Sequence, residues 1–213
     1  MKNFLLCRDI EYIIQCDKDG KIIGPISKIR AHLPGLRQAL THYSTWSMIF
    51  NPKLGKYGIQ LKNPKKHDKF GAGKWDMGVA GHNSYKRNEG RYVPMNFSET
   101  LVKEAQEEIG LKVQVISSID KFVKLSKTKL TRPIAIIFEQ FHYKTDKNNE
   151  FVGLAFVLVP SIKLEFKDKE VVDFKWLTPR ELTKFLKMET NYCDPLPPVF
   201  KKAEKFRRKY LDS

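Results

Sequence analysis

The chain has 213 residues, of which 41% are hydrophobic and 12% aromatic, and a formal net charge of +15. This composition excludes a disordered polyelectrolyte and suffices for one sizeable core. No apolar run reaches the roughly 18–20 residues that span a bilayer, and Met1 to Asp9 meets charge too soon for a secretory leader, so a cytoplasmic protein without a membrane segment is expected. Cys7, Cys16 and Cys193 have no CxxC spacing, which suits free thiols rather than a disulfide framework or a thiolate zinc site. The excess of Lys and Arg is compatible with phosphate-rich partners, nucleic acid among them, but its scatter along the chain fits a solvated surface better than a dedicated nucleic-acid face.

In chain order, Glu11–Cys16 and Lys21–Gly24 flank Asp17-Lys18-Asp19-Gly20 and predict a hairpin with an Asp-Gly turn. Thr45–Phe50 and Tyr57–Leu61 predict a second hairpin, and the glycine-rich stretch Gly71–Gly81 holds a short strand at Trp75-Asp76. Asn96-Phe97-Ser98-Glu99 fits a capping box, Val102, Ala105 and Ile109 recur at helical spacing, and Gly110 stands where a left-handed C-terminal residue belongs. Leu111, Val113 and Val115 then alternate as a strand, followed by long strands at Pro133–Tyr143 and Phe151–Val159 and a shorter one at Val171–Trp176. Thr178-Pro179-Arg180-Glu181 is a second capping box that opens a helix over Pro179–Leu186, and Phe200–Leu211 predicts a basic terminal helix. The expected fold class is α/β (α+β), a mixed sheet sandwiched between helices in a single domain. Residues 1–40 form an N-terminal hairpin and extension, 41–190 the main domain and 191–213 a basic C-terminal helix.

Within the first long helix, Glu104, Glu107 and Glu108 lie three and four residues apart and share one sector of its surface. Three like charges so placed repel, by on the order of 3 kcal/mol per pair at about 5 Å and an effective dielectric of about 20, or a few tenths when solvated. A bound dication reverses that sign. Hard oxygen donors without His or Cys select Mg²⁺ or Mn²⁺ over Zn²⁺. On spacing alone such a run is more often a solvated helix face, and the surrounding sequence is what favours a metal.

The run Lys103-Glu104-Ala105-Gln106-Glu107-Glu108-Ile109-Gly110-Leu111 resembles the second half of the Nudix box, with Lys for Arg and Ala in the aliphatic slot, and Gly81 resembles its opening glycine. The order of Trp75-Asp76 before the box, and Glu170 through Trp176-Leu177 with a capped helix after it, is also similar to the family's arrangement. The resemblance implies a magnesium-dependent hydrolase of a phosphoanhydride bond in a nucleoside-diphosphate-linked or other organic diphosphate. It implies Glu104, Glu107, Glu108 and the Ala80 carbonyl as metal ligands, and Glu104, Glu107 and Glu170 as the residues carrying catalysis. It further implies His82, Lys74 and Glu150 as substrate contacts, Glu150 being with Glu170 one of two loop carboxylates suited to an extra ligand or base. Lys62, Lys65 and Lys66 precede the box either as phosphate receivers or as a solvated loop. The loop Asn83–Phe97 is longer than in the family pattern, and the usual first glutamate falls on Met95, with Glu89 as a substitute inside the loop.

Two other readings compete. Arg30–Leu36, Trp75–His82 and Asn149-Glu150 are similar to type I isopentenyl-diphosphate isomerase, which needs a cysteine where this chain has Ala80. A non-catalytic RNA-binding protein on the same fold would use Lys201-Lys202 and Arg207-Arg208-Lys209. His32, His42, His67 and His142 have no ligand spacing and read as structural or exposed; Trp46, Trp75 and Trp176 read as core aromatics.

Overall fold

The computed structural model describes residues 10–65, 71–166 and 169–212; Cys7, Lys66 and His67 lie outside them. The described elements are β1 (Tyr12–Cys16), β2 (Ile22–Ser27), α1 (Lys28–Ala31), β3 (His42–Asn51), β4 (Lys56–Lys62), β5 (Trp75–Asp76), β6 (Val79–His82), β7 (Tyr85–Asn88) and β8 (Arg91–Pro94), followed by α2 (Phe97–Ile109), β9 (Gln114–Val115), α3 (Ile119–Ser126), β10 (Ile134–Lys144), β11 (Asn149–Leu158), β12 (Val171–Leu177), α4 (Pro179–Met188) and α5 (Leu196–Tyr210). Among the described residues no helix is long and apolar enough to cross a membrane. Their contacts divide them into two compact units, the first drawn from Met1–Thr45, Gly81–Thr100 and Glu139–Gly153, the second from Trp46–Ala80, Leu101–Phe138 and Leu154–Ser213.

In the second unit the strands follow the order β12-β4-β3-β11-β10-β9, with β5 beside β4. β12, β3 and β5 pair with β4 antiparallel and β9 pairs with β10 parallel, so the sheet is mixed, as expected. Successive strand residues face opposite sides. Ile49, Ala155 and Val157 pack with Leu101, Ala105 and Ile109 of α2. Their neighbours Phe50 and Phe156 meet the other layer: Phe206 of α5 lies 5.4 Å from Phe156, 6.2 Å from Phe122 of α3 and 4.5 Å from Phe138, ring centre to ring centre. The sheet therefore lies between α2 and the α3/α5 pair. On that second face Tyr57 donates to Glu204 Oε2 at 2.9 Å, and Glu204 also receives Arg207 Nε at 2.9 Å and Arg208 Nε at 2.8 Å.

Gly78 has no room for a side chain, since a Cβ there would sit 2.4 Å from Ile49 Cγ1. Gly78→Ala should lower stability by about 1–3 kcal/mol, the usual cost of overpacking a closed core, measurable as a shift of the urea midpoint at unchanged slope.

The first unit is built on the β1–β2 hairpin, antiparallel with an irregularity at Gln15/Cys16. Its turn closes as the Asp17-to-Gly20 chemistry predicts: Asp17 Oδ1 accepts from the Asp19 and Lys21 amides at 3.0 and 2.8 Å, Gly20 takes φ +80°, and Tyr43 Oη donates to the Gly20 carbonyl. β1 also pairs with the start of β3 through Gln15 and His42. The long loop Asn83–Phe97 is a further hairpin, β7 paired with β8, whose turn residues Glu89 and Gly90 have φ +48° and +79°. Two consecutive positive φ values are those of a primed turn, matched to the strands' twist.

Several expectations need correction. The alternating Leu111–Val115 run forms only the two-residue β9. α5 begins at Leu196 rather than Phe200, and α3, capped by Ser118, was not foreseen. The buried face of α2 starts at Leu101, whereas Val102 is 39% exposed, because Leu101, Ala105 and Ile109 recur at four-residue spacing and Val102 falls one step round the helix. Trp46 and Trp75 are core residues, while Trp176 is partly buried and packs on the core edge. Arg207 and Arg208 are not a free basic row, since both guanidiniums are held by Glu204.

Candidate functional site

The helix that carries the glutamates is terminated as its sequence dictates. Asn96 Oδ1 accepts from the Glu99 amide and Glu99 Oε2 from the Asn96 amide, both at 2.9 Å. At the other end Gly110 has φ +70° and the Leu111 amide donates to the Ala105 carbonyl at 2.9 Å, a left-handed cap.

With Leu101, Ala105 and Ile109 inward, the three carboxylates sit at three depths. Glu107 is exposed (side chain 51%), Glu104 mostly covered (17%) and Glu108 buried (residue 1%). Glu108 Oε2 receives Gln60 Nε2 of β4 at 3.3 Å and the Ala80 amide of β6 at 3.4 Å. Lys103 Nζ stands 3.0 Å from Glu104 Oε1 and 2.9 Å from Glu107 Oε2. Burial pulls the Lys103 ammonium down, but Glu104 and Glu107 outweigh it and hold it above the usual lysine range. Two of the three carboxylates are thus gathered on one positive charge and the third is turned to β4 and β6.

The donor chemistry fits a hard dication. Glu104, Glu107, Glu108 and Gln60 all offer oxygen, and the buried Gln60 Oε1, on the carboxamide that donates to Glu108, has no hydrogen-bond partner among the described residues. Ala80 lies against Glu108, as the resemblance implied, though the contact seen is through its amide.

Two residues along β4 from Gln60, on the same face, stands Lys62, with its Nζ 2.7 Å from Asp76 Oδ2 and both groups nearly buried. Burial lowers the Lys62 ammonium, but Asp76, with Cys193 and Glu108, raises it well above the lysine range. Lys62 is therefore the end of a strand and half of an internal ion pair, not a solvated loop residue. Asp76 reaches it because the β4–β5 register sets Gln60 opposite Asp76. The Lys62 amide donates to the Lys74 carbonyl at 3.0 Å and the Asn63 amide to the Glu170 carbonyl at 2.8 Å, so Lys74 and Glu170 flank the same end of β4. Burial and Asp76 push the free Cys193 thiol far above its usual range.

The other two expected substrate contacts, His82 and Glu150, belong to the first unit, where they meet His32 and His42. The ring centres lie 4.8 Å apart for His32–His82, 4.9 Å for His42–His82 and 5.5 Å for His32–His42. Glu150 Oε1 is 4.0 Å from His42 Nε2, and Asn148 Nδ2 donates to the same Oε1. His32 and His42 are thus neither dispersed nor solvent-facing. His32 caps α1, His42 opens β3 next to Gln15 of β1, and His82 closes β6 just before Asn83, whose carbonyl accepts the Ile14 amide at 2.9 Å. His142 is separate, with its Nε2 2.7 Å from Asn149 Oδ1. Met95 is a packing residue whose amide donates to the Ser84 carbonyl at 2.9 Å, and Glu89 forms the β7–β8 turn.

Neither a protein-family model nor a curated protein sequence matches the chain. Solved structures do. The crystal structure of DR0079 from Deinococcus radiodurans superposes with a TM-score of 0.58 at 17% identity, over 94% of this chain and 99% of that one. A MutT protein from Methanosarcina mazei gives 0.48 at 18% identity, over 78% and 93%, and a Nudix-family hydrolase from Clostridium perfringens 0.45 at 24%, over 78% and 94%. The chain shares the fold of DR0079, and at these identities the likeness shows fold alone.

Proposed function

We propose that the chain is a Nudix-type hydrolase that uses Mg²⁺ or Mn²⁺ to cleave a phosphoanhydride bond of an organic diphosphate. The observation that carries this reading is the face of α2, where Glu104 and Glu107 already close on a cation, Lys103, beside a buried Glu108 and an unpartnered Gln60 Oε1. Glu104, Glu107 and Glu108 would hold the dication, with Gln60 Oε1 and the Ala80 main chain at its edge. Bound there, a dication neutralises charge on the leaving phosphate and acidifies a water.

The protein supplies the rest. Lys103 bridges Glu104 and Glu107 and holds the two carboxylates together where they would receive the ion. Glu107, the most exposed carboxylate, accepts the proton of the attacking water, with Glu170 beside the end of β4 as the second base. Lys74, at that same end, supplies positive potential for the distal phosphate.

The isomerase reading lacks a proton donor, since a methyl group stands at Ala80 where that chemistry needs a thiol. The RNA-binding reading loses Arg207 and Arg208 to Glu204. The deciding experiment is a panel of nucleoside triphosphates, dinucleoside polyphosphates, sugar nucleotides, prenyl diphosphates and capped RNA, each with Mg²⁺ or Mn²⁺. Phosphate or nucleotide release that stops with a chelator and returns with Mg²⁺ is expected. Turnover that persists in chelator, or none across the panel, removes the reading.

A further inference from the structure

We infer that the groove between α4 and α5 binds a short chain of linked phosphates, at a site separate from the glutamates of α2. The groove has a volume of about 870 Å³, within the roughly 300–1,000 Å³ of small-ligand sites. Through Phe206 and Phe156, α5 packs on the face of the sheet opposite α2. An occupant of the groove is therefore not the diphosphate held at the glutamates.

One wall is a row of cations. Lys201, Lys205 and Lys209 line the groove from α5 at four-residue spacing, on one ridge of the helix, so they follow one another at about 6 Å along its axis. All three are exposed, and like charges at that spacing disfavour a helix. The helix dipole compensates Lys209, which lies in the last turn, but not Lys201, in the second turn. A bound anion compensates the whole row. Arg180 lines the groove from α4. Among the described residues no carboxylate pairs with Arg180, Lys201, Lys205 or Lys209.

The carboxylate that does line the groove, Glu204, is already engaged by Tyr57, Arg207 and Arg208. It holds Arg208 by Nε at 2.8 Å, while that side chain stays 69% exposed and offers its terminal nitrogens outward. Between the cations the lining is apolar, with Pro179 at the start of α4 and Phe200, 8% exposed, anchored against Tyr57 at 5.3 Å between ring centres. A cleft of one charge sign with apolar walls focuses its field on an anion inside it. Length selects a short ligand. The row spans about 12 Å, and past Lys209 it is not continued, because Asp212 closes on Arg207. Three or so phosphates gripped from two walls fit this better than a long nucleic acid. An inorganic chain and the tail of a nucleotide share that chemistry.

The test is calorimetric titration of the full chain with tripolyphosphate, ATP and uncharged adenosine, in chelator so that no metal-dependent binding at α2 contributes. One equivalent of phosphate chain is expected to bind, about tenfold or more weaker at physiological than at low salt, and adenosine is expected not to bind. Tripolyphosphate at least as tight as ATP assigns an inorganic chain; tighter ATP assigns a nucleotide tail. Lys201→Gln with Lys205→Gln should weaken binding about tenfold, and Arg180→Gln about threefold, each variant checked for folding by circular dichroism. Lys112→Gln with Lys144→Gln, which removes the same charge from exposed lysines outside the groove, should leave binding within about twofold. Glu108→Gln should also leave it unchanged, which separates this site from the proposed hydrolase. The inference is overturned by absence of saturable uptake, by an equal loss in the Lys112 and Lys144 variant, or by capture of single-stranded RNA without uptake of tripolyphosphate.

Discussion

Replacing Glu108 by Gln is expected to reduce turnover at least about 10²-fold, in the range found for removal of a group that stabilises or transfers charge at a reacting centre. The substitution is close to isosteric, and the new carboxamide oxygen can still accept from Gln60 Nε2 and the Ala80 amide at the positions where Glu108 Oε2 now does. What disappears is a negative charge in a buried place, and with it the attraction for a dication. Folding should therefore be kept, with a melting temperature equal to or above that of the parent chain, since a buried carboxylate costs free energy to desolvate. Kinetics at saturating Mg²⁺ and calorimetric titration of Mg²⁺ read the two consequences separately. A variant that turns over like the parent would show that Glu108 holds no metal, and the hydrolase mechanism would fall with it.

The second large effect is on stability. Asp76→Ala strands the Lys62 ammonium in a nearly closed site, and breaking a buried ion pair from one side typically costs about 3–5 kcal/mol. Replacing both partners, Lys62→Met with Asp76→Ala, should recover most of that loss, because a buried pair is worth little over apolar groups of similar size. Urea titrations of the parent, the single and the double variants measure this; an additive double variant refutes the coupling. The pH dependence has a definite sign. Lys62 is raised in the folded chain, so its contribution is complete below the unfolded lysine value of about 10.4 and is lost only as pH climbs through the higher folded value. The pair should therefore support the fold unchanged through neutral pH.

What could be read from sequence was whatever is decided by near neighbours. The boxes Asn96/Glu99 and Thr178/Glu181 were visible because each partner lies three residues from the other, and both form with reciprocal hydrogen bonds. The Asp17–Gly20 turn, the long strands and the shared sector of Glu104, Glu107 and Glu108 follow from equally local rules. Depth does not. Spacing put the three glutamates on one side, but only the choice of Leu101 over Val102 as the inward residue decides that Glu108 is buried and Glu107 exposed. Lys62 looked like part of a polar loop because its partner, Asp76, is set by strand register. His32, His42 and His82 carry no ligand spacing, since a helix cap, the β1–β3 pairing and the end of β6 bring them together. Lone histidines at strand ends and caps are the one signal that could have prompted a search.

The β7–β8 ribbon alters the polymer physics of the stretch between β6 and α2. Left as coil, so long an insertion would carry the closure entropy of its whole contour, which grows with the logarithm of length. Folded back through a turn closed by Asn88 and Arg91, it behaves as a short tether, and a hairpin of this kind zips in about 1–10 μs. The extra residues thus add contour without adding a kinetic delay before the glutamate helix can dock.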